Sequence, residues 1–262
     1  MPELPEVELA TRRLRAVAEG RRIVGARVMH PALRRQLGRG DLAAVRGRRI
    51  ERVERRGKYQ LLHLEGARTI VAHFRMSGDW HIAAAGSRRP PYSRAELTLD
   101  DGTRIVLADA RALSSFTVAH TGREPLARLG PDPLTRAFTA RALGDALARR
   151  RGPIKPALLD QSVAAGVGNI YASEALWRAR IHPAAPASSL GRPELRALVA
   201  AIREVLRRAL RDAARYRGGT GSVHRFEAYD RAGEPCRRCG SGIRRLTQAG
   251  RSTYFCPGCQ QL

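Results

Sequence analysis

The chain has 262 residues, 43% of them hydrophobic, enough to bury one large core or two modest ones. Lys and Arg number 48 against 24 Asp and Glu, a formal net charge of +24 that solubility does not require. Nucleic acid is the natural partner of such a balance, because phosphate neutralisation and counterion release drive binding; an Arg-rich composition accounts for part of it, and a membrane surface is a weaker competitor, since no run is apolar enough to span a bilayer.

In chain order, the opening MPELPEVELA is acidic and no apolar signal core follows it, which predicts a cytosolic protein. Leu4, Val7, Ala10, Leu14 and Val17 recur at helical spacing and Gly20 follows as a stop, predicting an N-terminal helix. From residue 22 to about 120 the texture changes to short β-like runs at 60–64, 69–76 and 95–99, and Asp100-Asp101-Gly102 turns the chain into 104–107. This block reads as an antiparallel sandwich or barrel. Leu129-Gly130-Pro131-Asp132-Pro133 reads as a linker or hinge. Beyond it the pattern is helical: Phe138, Ala142, Leu143, Ala146 and Leu147 fit one helix and 170–180 another. Leu195, Leu198, Val199, Ile202, Val205, Leu206 and Leu210 form the clearest apolar stripe, with Gly218-Gly219 as its end. The fold class is α+β and multidomain.

All four cysteines lie in the last 27 residues, which fits metal binding better than a disulfide framework. Cys236-x2-Cys239 and Cys256-x2-Cys259, sixteen residues apart, can close a tetrahedral four-thiolate site. With every position filled by protein, one zinc ion there would be structural rather than catalytic. Between the knuckles, two strands joined by a turn would present Arg251 near the tip, where it suits a phosphate or base contact; read alone, it is a solvated surface Arg.

Pro2 follows the initiator Met. If Met1 is removed, Pro2 exposes a secondary amine with a pKa near ~8, a competent nucleophile towards a sugar aldehyde carbon. Glu3 is adjacent and Glu6 lies one helical turn on, placed for general acid work and charge stabilisation. Taken by themselves these residues are ordinary first-turn chemistry, in which Pro and acidic side chains suit the helix dipole.

The order of motifs changes that weighing. MPELPEVE, Arg55-Arg56-Gly57-Lys58-Tyr59, His73-Phe74-Arg75-Met76-Ser77-Gly78 and Leu129-Gly130-Pro131-Asp132-Pro133-Leu134 come first. Ile154-Lys155-Pro156 through Gly166-Val167-Gly168-Asn169-Ile170-Tyr171-Ala172-Ser173-Glu174 and the Glu234-Pro235-Cys236 module follow. Over nearly the whole chain this series resembles the formamidopyrimidine-DNA glycosylase family. The resemblance implies an N-terminal catalytic β-sandwich with flanking helices over 1–130, a helix–two-turn–helix DNA-binding domain over 131–220 and a four-cysteine zinc finger over 221–262. It also implies double-stranded DNA carrying a damaged base or abasic site, bound in the cleft between the halves by a monomer in the bacterial cytosol and nucleoid.

Roles follow from the same resemblance. Pro2 would attack C1′ of the damaged nucleotide; Glu3 would donate the proton that opens the sugar, supported by Glu6. Lys58 would reach the site from a hairpin and assist β-elimination, and Arg251 would aid the second elimination. His73, Asn169 and Tyr229 would grip the phosphate backbone, with Arg151 and Lys155 in the DNA-facing segment; Asn169 also reads as an N-cap. The target base must leave the stack, and Met76 and Arg111 match the side chains that fill the hole and hold the orphan base.

Three departures stand out. The family's usual Asp-Pro-Arg-Arg-Phe-Gly reads Asp109-Ala110-Arg111-Ala112-Leu113-Ser114, so Leu113 replaces an aromatic wedge. The surroundings of Tyr92 also differ from the family's His-containing segment. Only nine residues separate Gly219 from Tyr229, where members that recognise 8-oxoguanine carry a longer capping loop. Leu113 and the short segment predict weaker action on 8-oxoguanine than on ring-opened purines or oxidised pyrimidines. Leu4 favours this branch over the endonuclease VIII-like glycosylases, which usually have Gly there. The competing readings are a catalytically idle damaged-DNA-binding protein on this scaffold, an endonuclease VIII-like preference for oxidised pyrimidines, and a zinc-ribbon RNA-binding protein.

Overall fold

The computed structural model describes residues 1–120, 126–212 and 226–262. The chain forms two compact units, Met1–Ala127 and Arg128–Leu262.

In the first unit, helix α1 (Leu4–Ala18) buries Leu4, Val7, Ala10 and Leu14 of the predicted stripe; its last member, Val17, is only partly buried, and Ala18 takes the buried place at the helix end. Glu6 Oε2 accepts the Glu3 backbone N–H at 2.8 Å, satisfying one of the exposed donors of the first turn. Gly20 stops the helix at φ 81°, a left-handed conformation that costs glycine nothing. Two antiparallel four-stranded sheets follow, ordered β1-β6-β7-β5 and β2-β3-β4-β8. The strands are β1 (Ile23–Val28), β2 (Ile50–Arg56), β3 (Tyr59–Leu64), β4 (Arg68–His73), β5 (Asp79–Ala83), β6 (Ser93–Leu99), β7 (Arg104–Ala108) and β8 (Ser115–His120). Their inner faces share one core with α1: Ile23, Leu97, Ile105 and Leu107 meet Val53, Leu62, Ile70 and Phe116. The sheets form a sandwich. Short helices α2 (Pro31–Arg34) and α3 (Asp41–Val45) bury Leu33 and Val45 against the same core.

Register positions the site. Arg56 pairs with Tyr59, Tyr59 with His73, and His73 with Ser115. The β2–β3 hairpin, the loop after β4 and the loop before β8 therefore all leave the sandwich at one end. The run read at 69–76 stops being a strand at His73, because the chain turns there: the Gly78 N–H donates to Phe74 O at 3.0 Å and Arg75 takes φ 54°.

The second unit holds α4 (Ala140–Leu147), α5 (Ile154–Leu159), α6 (Asn169–Ala179) and α7 (Arg192–Arg211), then a hairpin of β9 (Arg244–Gln248) and β10 (Arg251–Phe255). Thr139 caps α4 by accepting the Ala142 N–H at 3.1 Å. Helix α7 buries Leu195, Leu198, Val199, Ile202 and Leu206. The expected helix end at Gly218-Gly219, and most of the short segment before Tyr229, lie outside the described residues.

The linker reading of 129–133 is corrected. Gly130 donates to Gln161 O at 2.9 Å, and a Cβ on it would lie 2.2 Å from Ser162 O, so only glycine permits this approach. Pro131 O accepts the Ala165 N–H and Pro133 O accepts Arg203 Nε. The segment is packed into the second unit, with both prolines serving a fixed path rather than a hinge.

Candidate active site and nucleic-acid interface

In the first unit, Pro2 is partly exposed, Glu3 is buried and Glu6 half-buried at the start of α1. Gly57 occupies the first turn position of the β2–β3 hairpin at φ 58°, which delivers Lys58 to the tip. Lys58 is only 7% exposed, so it is not the solvated charge that a basic hairpin would suggest. Helix and hairpin are tied together. Arg55 Nε donates to Glu8 Oε2 at 2.8 Å, and Arg55 Nη1 donates to Gly57 O at 3.1 Å. Burial pushes the Glu8 carboxyl up, but Arg55 and then Arg12 outweigh it and hold the group below its ordinary value.

His73 ends β4 beside this hairpin, edge-on to Tyr59 with centroids 4.7 Å apart. Its Nδ1 accepts the Arg75 backbone N–H at 2.9 Å, which places the ring proton on Nε2. Burial, then the charges of Arg75 and Lys58, lower its pKa to about 4, so the ring is neutral and offers one N–H donor. Met76 is 41% exposed and Leu113 49%, both on loops at this end of the sandwich, and Arg111, two residues before Leu113, is exposed as well. Tyr92 is exposed at φ 59°, with Arg94 stacked 5.9 Å from its ring centre.

In the second unit, Ala249 (φ 47°) and Gly250 (φ 71°) form the β9–β10 turn, and exposed Arg251 follows immediately, as the spacing predicts. Arg151 is exposed before α5. The expectation that Lys155 faces DNA is corrected. It is 1% exposed, and its Nζ donates to Asn169 Oδ1 at 2.6 Å, Thr253 Oγ1 at 2.8 Å and Ser252 O at 2.9 Å. The ammonium is a bracket between α6 and the hairpin that carries Arg251. The N-cap reading of Asn169 is corrected as well. Gly168 is the cap residue, and Asn169 Nδ2 donates to Ser252 O at 3.0 Å.

Tyr229 is held by a residue the sequence reading gave no role. Glu174, on α6, accepts backbone N–H groups from Glu227, Ala228 and Tyr229 at 2.8, 2.8 and 2.9 Å. Burial raises its pKa despite these bonds. Glu8, Arg55, Asp109 and Trp177 were missed in the same way. Their functional signal is their partner in space; motif membership marked Glu8, Arg55 and Asp109 in sequence, and nothing marked Trp177.

The cysteine Sγ atoms all lie within 4.8 Å of one another, with 3.9 Å between Cys236 and Cys259 and 3.3 Å between Cys239 and Cys256. Zinc–thiolate bonds of about 2.3 Å in a tetrahedron need sulfur separations of about 3.8 Å, so the four thiols fit one structural zinc ion. Trp177 Nε1 donates to Cys236 Sγ at 3.4 Å, and Arg238 lies 4.0 Å over the indole, fixing the site to α6. A Cβ on Gly258 would sit 2.6 Å from Ser241 Oγ and 3.2 Å from Cys239 Sγ, so a side chain there would push the Ser241 hydroxyl aside next to a thiolate.

A sandwich with a buried lysine hairpin, a helical unit and a four-thiolate hairpin define the scaffold of a zinc-bearing DNA glycosylase. The formamidopyrimidine-DNA glycosylase N-terminal domain matches residues 1–116, the H2TH domain of the same glycosylases 129–218, and the zinc finger found in FPG and IleRS 233–262. The formamidopyrimidine-DNA glycosylase of Chloroflexus aurantiacus is 44% identical over 99% of this chain and 98% of its own. The crystal structure of the MutM (Fpg) protein from Thermus thermophilus matches at TM-score 0.85 and 39% identity, covering 99% of this chain and 98% of that one. The Lactococcus lactis Fpg in complex with abasic-site DNA matches at TM-score 0.89 and 30% identity over 99% of this chain and 100% of that one. The chain belongs to the formamidopyrimidine-DNA glycosylase family. No helix among the described residues is long and apolar enough to cross a membrane.

Proposed function

We propose that the protein excises oxidised or ring-opened bases from double-stranded DNA and nicks the strand at the resulting abasic site, as a monomer in the bacterial cytosol and nucleoid. With Met1 removed, the Pro2 amine attacks C1′. The C1′–base bond breaks and the base leaves with a proton; Glu3, supported by Glu6, protonates the ring oxygen as the sugar opens. The product is a Pro2–C1′ iminium. Loss of a C2′ proton expels the 3′ phosphate, with Lys58 assisting, and a second elimination expels the 5′ phosphate, with Arg251 steadying it. Hydrolysis of the remaining iminium frees the amine.

The observation that carries the reading is the Glu8–Arg55–Gly57 tie, which fixes the helix bearing Pro2 and Glu3 against the hairpin bearing Lys58. Neutral His73, Asn169, Tyr229 and Arg151 grip the backbone; Met76, Arg111 and Leu113 fill the hole left by the flipped base. Lys155 serves by holding Asn169. The nine residues between Gly219 and Tyr229, too few for a long capping loop, together with a leucine at 113 that cannot stack as a ring does, favour ring-opened purines and oxidised pyrimidines over 8-oxoguanine. Equal single-turnover rates on matched duplexes carrying each lesion would overturn that preference.

The decisive experiment is borohydride trapping on a duplex with one abasic site. A crosslink that persists in Pro2→Gly, which keeps an amine, and disappears when the chain is extended before Pro2 places the nucleophile. No crosslink, with Met removal confirmed and DNA binding intact, would favour an idle damaged-DNA-binding protein.

A further inference from the structure

Two loops at one end of the sandwich each present an exposed apolar tip, Met76 after β4 and Leu113 before β8. Each tip directly follows a non-glycine residue in the left-handed region, Arg75 at φ 54° and Ala112 at φ 52°. Water opposes the exposed side chains and sterics oppose the backbone, so both tips need an external hold.

Asp109 supplies it to both. Its carboxylate, 1% exposed, accepts the Leu113 and Ser114 N–H groups on Oδ2, each at 2.7 Å, and the Arg111 N–H on Oδ1 at 3.1 Å. Those three bonds organise its own loop, as many Asx turns do. The fourth does not: the Ser77 hydroxyl, from the residue after Met76, donates to Oδ1 across 32 positions of sequence. Burial would raise the Asp109 carboxyl, but Ser77 and the backbone donors hold it below its ordinary value, so it stays an acceptor. The backbone of Asp109 is fixed in turn, its N–H donating to Tyr92 O at 3.0 Å and its carbonyl accepting Arg94 Nε at 2.7 Å.

We propose that Asp109 is a positioning residue which, through Ser77, couples the Met76 tip to the Arg111–Leu113 tip, so that both enter the duplex as a single element. The inference rests on the assignment of these side chains as the hole-filling set.

Ser77→Ala removes the cross-loop bond with little risk to folding, and Ser77→Thr keeps the hydroxyl. Insertion is read by 2-aminopurine fluorescence beside an abasic-site analogue, and chemistry by single-turnover excision from a damaged duplex. Lyase activity on single-stranded abasic DNA, which has no stack to fill, is the control. Ser77→Ala should slow duplex excision and insertion about tenfold, the effect of one lost bond to a charged acceptor, with the single-stranded reaction unchanged and Ser77→Thr restored. Met76→Ala and Leu113→Ala should be non-additive in the parent and additive with Ser77→Ala. Additivity in the parent, with each single change harmful, would overturn the coupling alone. An equal loss on single-stranded DNA would reduce Asp109 to general stability. If Met76→Ala and Leu113→Ala both leave insertion and excision unchanged, the hole-filling assignment falls and the coupling with it.

Discussion

Arg55 Nε lies 2.8 Å from Glu8 Oε2, with the two side chains only 7% and 15% exposed, and this pair joins helix α1 to the β2–β3 hairpin. Glu8→Ala takes this carboxylate away from a nearly buried guanidinium, and should destabilise the protein by about 2–3 kcal/mol in urea unfolding. Because the Glu8 carboxyl is held below its ordinary value, its stabilisation is complete above the unfolded-state pKa and is lost as pH falls through the lowered folded value. The stability gap between parent and Glu8→Gln should therefore shrink on acidification below about pH 4.5. A gap independent of pH would remove the ion pair from the account.

Lys155 and Arg151 should separate cleanly in salt dependence. Lys155→Met leaves Asn169 Oδ1, Thr253 Oγ1 and Ser252 O short of a buried donor and should cost about 3 kcal/mol of stability. At temperatures where it stays folded, its log affinity for duplex DNA should fall with log salt at the parental slope. Arg151→Ala should reduce that slope by about 1. A reduced slope for Lys155→Met would restore it as a phosphate contact.

His73 should titrate near pH 4 in the folded protein, observable by NMR of the ring carbons. The folded ring resists protonation while the unfolded ring takes a proton near its ordinary 6.5. Stability from neutral His73 is thus fully present above that value and declines as pH falls towards 4. Comparison with His73→Gln should show the difference closing below pH 6.5, and this ring should add no pH dependence to DNA binding between pH 7 and 8. A measured pKa near 6.5 would contradict the buried, cation-flanked setting.

Zinc removal should act on the second unit. Chelation should shift the fluorescence of Trp177, whose indole N–H faces Cys236 Sγ, and expose 226–262 to proteolysis. Trp80, buried in the sandwich core, should be unaffected. Trp177→Phe should weaken zinc retention about tenfold against a competing chelator, the usual scale for a lost partner of a ligand. Unchanged retention would make the indole a packing residue only.

Periodicity and spacing determined much of this protein. The α1 stripe, the strand runs, the α7 stripe and the two cysteine knuckles follow from local rules: 3.6-residue and 2-residue periods, turn chemistry and the reach of a thiolate. The motif series then gave the family, because its members stand in order along the chain. Tertiary structure decided what those rules do not reach. Lys155 and Lys58 look alike in sequence, basic residues in basic segments, yet both are buried, one bracketing Asn169 and the hairpin and the other at a turn tip. Gly130 read as part of a hinge because Gly and Pro mark turns locally, whereas the carbonyl that excludes a side chain there comes from Ser162. Asp109, Glu174 and Glu8 stood in motifs, but their long-range roles were not legible, since a carboxylate's role is set by which donors surround it. The donors that tie each to another element sit 32, 53 and 47 positions away, at Ser77, Glu227 and Arg55. Burial and long-range hydrogen bonding are properties of the packed chain, and one-dimensional patterns encode them only through the fold they produce.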